Sequence, residues 1–368
     1  MAAIRSVMQR LIWASALGAL LWSGSGEPAH AQPAHKNYVR VVALCCMDPS
    51  EARPAFDAML RYGPDAALVL GNMIAADADD FDDLNRAYEV LTRVRGLRLL
   101  RQNALTMPIW DAEDFSMKGY SDRRNAYKAD LRYHFLDYWN EPYTTERFYR
   151  TDALYGELRF GQSPYDVQVL MLDTRWHRAP LNKQNWFAAQ WQYWWHERGP
   201  WPVAATGELL GEQQWQWLAA KLAEPAGLRI IASTVPVLND ADGFDSWALF
   251  PAERERLLKL LTPLTNTVIV SGGRGFGEIN YAQDAQLWEV VTGSVNQPSP
   301  FIPANSYRRG AASTDSRYAS IEMTWEAAEP RVILATRDVD GRVISERQLA
   351  AEATPAANLA PVTTTPEN

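Results

Sequence analysis

The sequence predicts a layered α/β domain, and three observations predict it. Short apolar runs rich in β-branched residues recur along the chain, as expected of strands covered on both faces. Segments with helical spacing lie between many of them. The last runs follow one another without an intervening helix and surround a turn, which points to an antiparallel edge.

In order, the strand-like runs are Val39–Ala43, Ala66–Leu70, Met107–Trp110, Val167–Leu172, Arg229–Ser233, Val268–Ser271, Leu287–Thr292, Ile321–Trp325 and Val332–Arg337. Helical patterns cover Pro54–Tyr62, Phe81–Val94, Arg124–Trp139, Gly211–Leu222 and Pro251–Leu261. The last of these opens on proline with Glu253 close behind, which suits a first turn that lacks amide partners and favours negative charge. Val339-Asp340-Gly341-Arg342 carries Asp-Gly at the centre of a hairpin turn. Residues 38–350 are expected to form one domain, with residues 32–37 as a short polar lead and 351–368, rich in Ala, Pro and Thr, as a disordered tail.

The chain has 368 residues, 47% of them hydrophobic, enough for a sizeable core. Its net charge of −8 argues against sequence-independent nucleic-acid binding, which needs a Lys/Arg surface to displace counterions, and against anionic membranes. Residues 1–31 have the pattern of a cleaved export signal: Arg5 and Arg10, an apolar stretch from Leu11 to Trp22, then Ala29-His30-Ala31. That stretch is shorter than the ~20 residues that span a bilayer, so the expected product is periplasmic or secreted and free of the membrane after cleavage. Cys45 and Cys46, the only cysteines, are adjacent; they form no disulfide framework and read as buried strand residues.

Seven stretches, in order, carry a resemblance to a known family. They are Ala43-Leu44-Cys45-Cys46, Pro64–Asp77, Pro108–Phe115, Leu172-Asp173-Thr174-Arg175, Leu209–Leu218, Asp245–Arg254 and Ser271–Gly275. Together they resemble the PhoD-like alkaline phosphatase/phosphodiesterase family over roughly residues 38–350. The resemblance implies a metallophosphatase-like (calcineurin-like) fold, a two-sheet β-sandwich flanked by helices. It also implies phosphoric ester hydrolysis at a bimetal centre of Fe/Ca type, held on the strand-end loops.

The departures bear on that chemistry. Two metal ions that polarise phosphoryl oxygens and activate water need several converging oxygen, nitrogen and sulfur donors. Cys46 and Asp111 stand at positions where the resemblance implies ligands, and Asp77 and Asp114 also match. Asn72 replaces an Asp, Ala75 a Tyr, Ala112 an acidic residue and Glu113 a His. Gly273 and Gly275 replace an Asp and a His. Losing even outer partners of a metal site costs about 10–100-fold in affinity or activity. The expectation is therefore an exported pseudophosphatase without a cofactor, with a binding or accessory role. An alternative is an active phosphomonoesterase or phosphodiesterase with a rearranged site drawn from Asp77, Asp111, Glu113, Asp114 and His177.

A third expectation is a binding protein for an aromatic or sugar-containing ligand, since Trp186, Phe187, Trp191, Trp194, Trp195 and Trp201 cluster at helical spacing. The same spacing suits an aromatic helix packed as a lid. Arg175 and Arg274 are candidate anion contacts for a small phosphate ligand, although Asp173 and Arg175 are also placed to form a structural ion pair. The acidic run from Asp77 to Asp83 reads as a solvated helix start before it reads as a calcium site.

Overall fold

The computed structural model describes residues 37–49, 54–77, 79–116, 121–163, 165–181, 201, 207–241, 243–273, 275–325 and 331–350. The proposed signal, the lead up to residue 36, the tail 351–368, Trp186, Trp191, Trp194, Trp195 and Arg274 lie outside the described residues.

Two six-stranded sheets form the domain. The first runs β12-β11-β10-β1-β2-β3. Its members are β1 (Tyr38–Leu44), β2 (Ala66–Leu70), β3 (Leu105–Ile109), β10 (Tyr318–Thr324), β11 (Arg331–Arg337) and β12 (Val343–Ala350). β1, β2 and β3 are mutually parallel, while β10, β11 and β12 add on antiparallel. The second sheet runs β4-β5-β6-β7-β9-β8. It comprises β4 (Gly156–Phe160), β5 (Val167–Met171), β6 (Leu228–Ser233), β7 (Thr267–Ser271), β8 (Glu278–Ala282) and β9 (Leu287–Val291). Here β5, β6, β7 and β9 are parallel, and β4 and β8 close the two edges antiparallel.

Period-two alternation sorts the second sheet's side chains. Val167, Val169, Ile230, Val268 and Val270 join the core shared with the first sheet. Leu170, Ile231 and Ile269 face the opposite way, into a second core with Trp215, Leu218, Trp247 and Leu257. Helices Glu212–Leu222 and Pro251–Leu261 supply that outer layer. On the first sheet, helices Pro54–Tyr62 and Arg95–Asn103 pack so closely that a Cβ on Gly96 would lie 2.3 Å from the Phe56 Cβ. The result is the expected two-sheet sandwich between helical layers.

The strands without a run of their own in the sequence reading are β4 and β8, the two edges of the second sheet, and β12, an edge of the first that only the hairpin turn implies. β4 carries partly exposed polar residues, and β8 carries Glu278 and Asn280, both 0% exposed in a polar network with Glu289 and Arg308. Neither Gly-Glu-Leu-Arg-Phe nor Glu-Ile-Asn-Tyr-Ala therefore shows the continuous apolar run of the central strands. Helix Arg95–Asn103 was also missed, because four arginines in eleven residues mask its buried Leu97 and Leu100. The hairpin turn is as expected: Gly341 sits at φ +88° and its amide donates to the Asp338 carbonyl.

Candidate functional site

The parallel strands of both sheets end at one pole, and the loops after β1, β2, β3, β5, β6 and β7 meet there. The Cys46 amide donates to the Gly71 carbonyl and the Gly273 amide to Cys45 Sγ, at 3.1 and 3.2 Å. Gly71, at φ +81°, lies against the end of β3, where a Cβ would come within 2.4 Å of both the Asp111 Cβ and its amide nitrogen. Only a residue without a side chain fits that approach and that backbone angle. Cys46 and Asn72 also take left-handed φ of 60° and 53°.

Asp111 is the centre of this pole and is 2% exposed. Asn72 Nδ2 donates to Asp111 Oδ2 at 3.1 Å, and Arg175 Nε donates to Oδ1 at 2.6 Å. Arg175 Nη2 reaches Asp245 Oδ2 at 2.9 Å, and Arg178 Nη2 reaches Asp245 Oδ1 at 2.6 Å. Two carboxylates and two guanidiniums thus form one charge-balanced cluster, buried except at Asp245, whose side chain is 27% exposed. Burial pushes the Asp111 carboxyl up, opposed by Arg175. Burial alone would raise Asp245, but Arg178 and Arg175 hold its carboxyl well below the usual range. Burial alone would depress Arg175, yet Asp111 and Asp245 hold its guanidinium above the ordinary value. Thr174 and Thr234 share a 2.6 Å hydroxyl contact beside this cluster.

Asp114 serves the loop backbone. Its Oδ1 accepts the amides of Met73 and Ile74 at 2.9 and 3.1 Å, and its Oδ2 accepts those of Asp111, at 2.9 Å, and Asn72. Burial pushes its carboxyl up to about 7, against amide donors that favour the charged form. The folded protein therefore holds a proton that the unfolded chain releases above about pH 4. That contribution to stability is complete below about pH 4 and is lost as pH rises through about 7. A carbon-13 titration of the Asp114 carboxyl is expected to have its midpoint near 7; a midpoint below about 4 would show that the amide donors win.

The donors present do not fit a two-metal centre. Asp114 spends both oxygens on amides, and Asp111 holds Arg175 and Asn72. Asn72 Oδ1 accepts the Glu113 amide at 2.9 Å and so presents its amine side to Asp111. Cys46 Sγ lies 4.0 Å from Asn72 Nδ2, and its thiol is pushed well up by its hydrogen bond to Cys45 and by burial. Gly273 offers nothing where a carboxylate is implied: a Cβ there would be 3.6 Å from Asp111 Oδ2 but 2.7 Å from the Thr234 carbonyl. Gly275 likewise has the chain of Gln297–Ser299 against its α-carbon, within 3.3 Å of where a Cβ would be. Among the described residues, no three His, Cys, Asp or Glu side chains converge as a metal site.

Other predicted site residues make contacts of their own. The His177 ring covers Gly211 and faces Asp152, with Nε2 3.9 Å from Asp152 Oδ2. Glu113 stays near enough for Asp111 to reinforce the upward shift that burial gives its carboxyl. The Asp77 amide donates to Asp83 Oδ2, and Asp80 caps helix Phe81–Thr92 by accepting the Asp83 amide. That acidic run is a helix start, as expected. Ala75 and Ala112 offer no donor.

One expectation is corrected. Asp173 does not pair with the Arg175 side chain. Its carboxylate accepts the backbone amides of Arg175, Trp176 and Leu154 at 2.8, 3.1 and 2.8 Å, and the guanidinium goes to Asp111 and Asp245. Two residues apart on a turn, Asp173 is closer to the Arg175 amide than to the end of its long side chain. Arg178 and Thr234 were missed altogether. Asp245, in its own motif, was the available signal that an arginine partner was needed nearby.

The family model described as PhoD-like phosphatase matches residues 120–335. Among solved structures, the chain is similar to one described as PhoD, at 13% identity and TM-score 0.60, covering 88% of this chain and 73% of that one. It is similar to a dimetal phosphatase from Danio rerio at 14% identity and TM-score 0.52, covering 85% and 99%. It is also similar to GAP50, the anchor in the inner membrane complex of Plasmodium, at 12% identity and TM-score 0.52, covering 87% and 91%. No curated protein sequence matches.

Proposed function

Because the chain belongs to the PhoD-like phosphatase family, we propose that it is an exported pseudophosphatase, a phosphatase scaffold whose centre is held by its own arginine and which serves a binding or accessory role. The observation that carries this is Arg175 Nε on Asp111 Oδ1 at 2.6 Å. The guanidinium supplies the positive charge that a cation would otherwise bring to this carboxylate. It cannot polarise a phosphoryl oxygen and deliver a bound hydroxide as a metal does. Uncatalysed phosphate monoester hydrolysis needs up to ~10²¹-fold acceleration, most of it from charge stabilisation and positioning.

Two further points support the reading. Of the alternative catalytic set Asp77, Asp111, Glu113, Asp114 and His177, Asp111 holds Arg175 and Asn72, Asp114 accepts loop amides, and His177 faces Asp152. One of the similar structures is described by an anchoring role, not by a reaction. Export rests on the N-terminal pattern; no helix among the described residues is long and apolar enough to cross a membrane. Within the cluster, Arg178 Nη1 is buried without a hydrogen-bond partner among the described residues.

The test is turnover of p-nitrophenyl phosphate and bis-p-nitrophenyl phosphate by the mature protein, supplied with iron, calcium or manganese. The expected rate equals that of the Asp111→Ala variant. Turnover that requires Asp111 would overturn the proposal.

A further inference from the structure

Away from the Asp111 pole, helices Phe81–Thr92, Arg95–Asn103 and Lys128–Tyr138 enclose an open groove of about 360 Å³ on the outer side of the first sheet. Arg98, Arg101, Gln102, Tyr138 and Asn140 line it, and no carboxylate does so among the described residues. Arg93 and Arg95 are exposed beside it.

The charge balance here is unusual for this chain, which carries 44 acidic against 36 basic residues. Several arginines elsewhere pair with carboxylates, Arg40 with Glu322, Arg147 with Glu141, Arg159 with Asp166 and Arg308 with Glu278, while others, such as Arg132 and Arg254, donate to backbone carbonyls. None of Arg93, Arg95, Arg98 and Arg101 has an ion pair among the described residues.

A purely structural role accounts for part of this. Arg101 Nη2 donates to the carbonyls of Tyr138 and Trp139 at 3.4 and 3.2 Å, capping the C-terminal end of helix Lys128–Tyr138. Arg98 Nη1 reaches the Thr92 carbonyl at 3.5 Å, at the end of helix Phe81–Thr92. Each helix end carries roughly half a negative charge. Two half-charges leave most of four guanidinium charges uncompensated. The cap also fixes the Arg101 guanidinium beside the rings of Trp139 and Tyr138, 4.9 and 5.5 Å from their centroids. Gln102 and Asn140 add neutral amides to the same wall.

We infer that this groove is an anion site for a small ligand bearing a phosphate or sulfate ester. Arginine's planar fork matches a tetrahedral oxyanion, a pre-positioned guanidinium loses little entropy on binding, and the groove's volume suits a ligand of monosaccharide or nucleoside size. The site is independent of the Asp111 pole and of its loss of metal donors.

Isothermal titration with orthophosphate, sulfate, glucose 6-phosphate and glucose 6-sulfate tests the inference. An ester is expected to bind saturably, and Arg98→Gln with Arg101→Gln is expected to weaken it at least about tenfold, the loss of two charge-assisted contacts. Arg342→Gln, in the β11–β12 hairpin, is expected to leave binding unchanged. The single variant Arg98→Gln, at an exposed position, keeps the test available if Arg101 is needed for folding. Binding of phosphate but not sulfate esters, or the reverse, identifies the source of the oxyanion within the inference. No saturable binding, binding indifferent to both substitutions, or binding confined to long polyphosphate would overturn it.

Discussion

Arg175→Ala is expected to cost about 3–5 kcal/mol of folding stability, measured by urea denaturation. The side chain is 2% exposed and bridges two carboxylates. Removing it leaves Asp111 with the Asn72 amide and nearby hydroxyls but without a counter-charge. Breaking a buried pair from one side costs more than the pair contributes, because the remaining charge stays desolvated. The pH dependence should change with it. Asp245 is held low in the folded state by Arg178 and Arg175, so its contribution is present above the unfolded value near about 4 and is lost as pH falls below that. The variant keeps only Arg178 on Asp245, and its acid sensitivity should flatten. A loss under about 1 kcal/mol would mean that Asp111 has another source of positive charge.

Gly71→Ala is expected to destabilise by about 2–5 kcal/mol, a left-handed backbone penalty of about 1–2 plus overpacking of about 1–3. The added methyl would meet the Asp111 Cβ and amide nitrogen at 2.4 Å and the Trp110 carbonyl carbon at 2.8 Å. These are backbone or near-backbone atoms at the end of β3, and they cannot swing aside as a side-chain tip would. The collision also drives the β2 and β3 loops apart, so the amides that bind Asp114 should lose hydrogen-exchange protection together with Asn72. A near-neutral result would contradict the close strand-end approach on which the pole is built.

Much of this was legible in the sequence because the informative stretches hold the scaffold. Gln214, in the stretch Leu209–Leu218, brackets Asp173 by accepting its amide and donating to its carbonyl. Glu253, in Asp245–Arg254, accepts the amides of Leu209 and Leu210 and the Trp215 indole. Such residues fix one geometry and leave a strong local pattern. Central strands declared themselves through continuous apolar runs, whereas edge strands β4 and β8 did not. The cluster at Asp111 was only half legible. Its missing ligands could be seen from Asn72, Ala112 and Gly273. What replaced them could not, because Arg175, Arg178 and Asp245 meet only after folding, across separations of 64 and 70 residues from Arg175 to its two carboxylates.

The most direct test of the central claim is a crystal structure of the mature protein grown with excess manganese and calcium, read by anomalous scattering at the Asp111 pole. The account predicts Arg175 Nε on Asp111 Oδ1 and no cation within bonding distance of Cys46, Asn72 or Asp111. Two ordered cations there, with the guanidinium displaced, would contradict it.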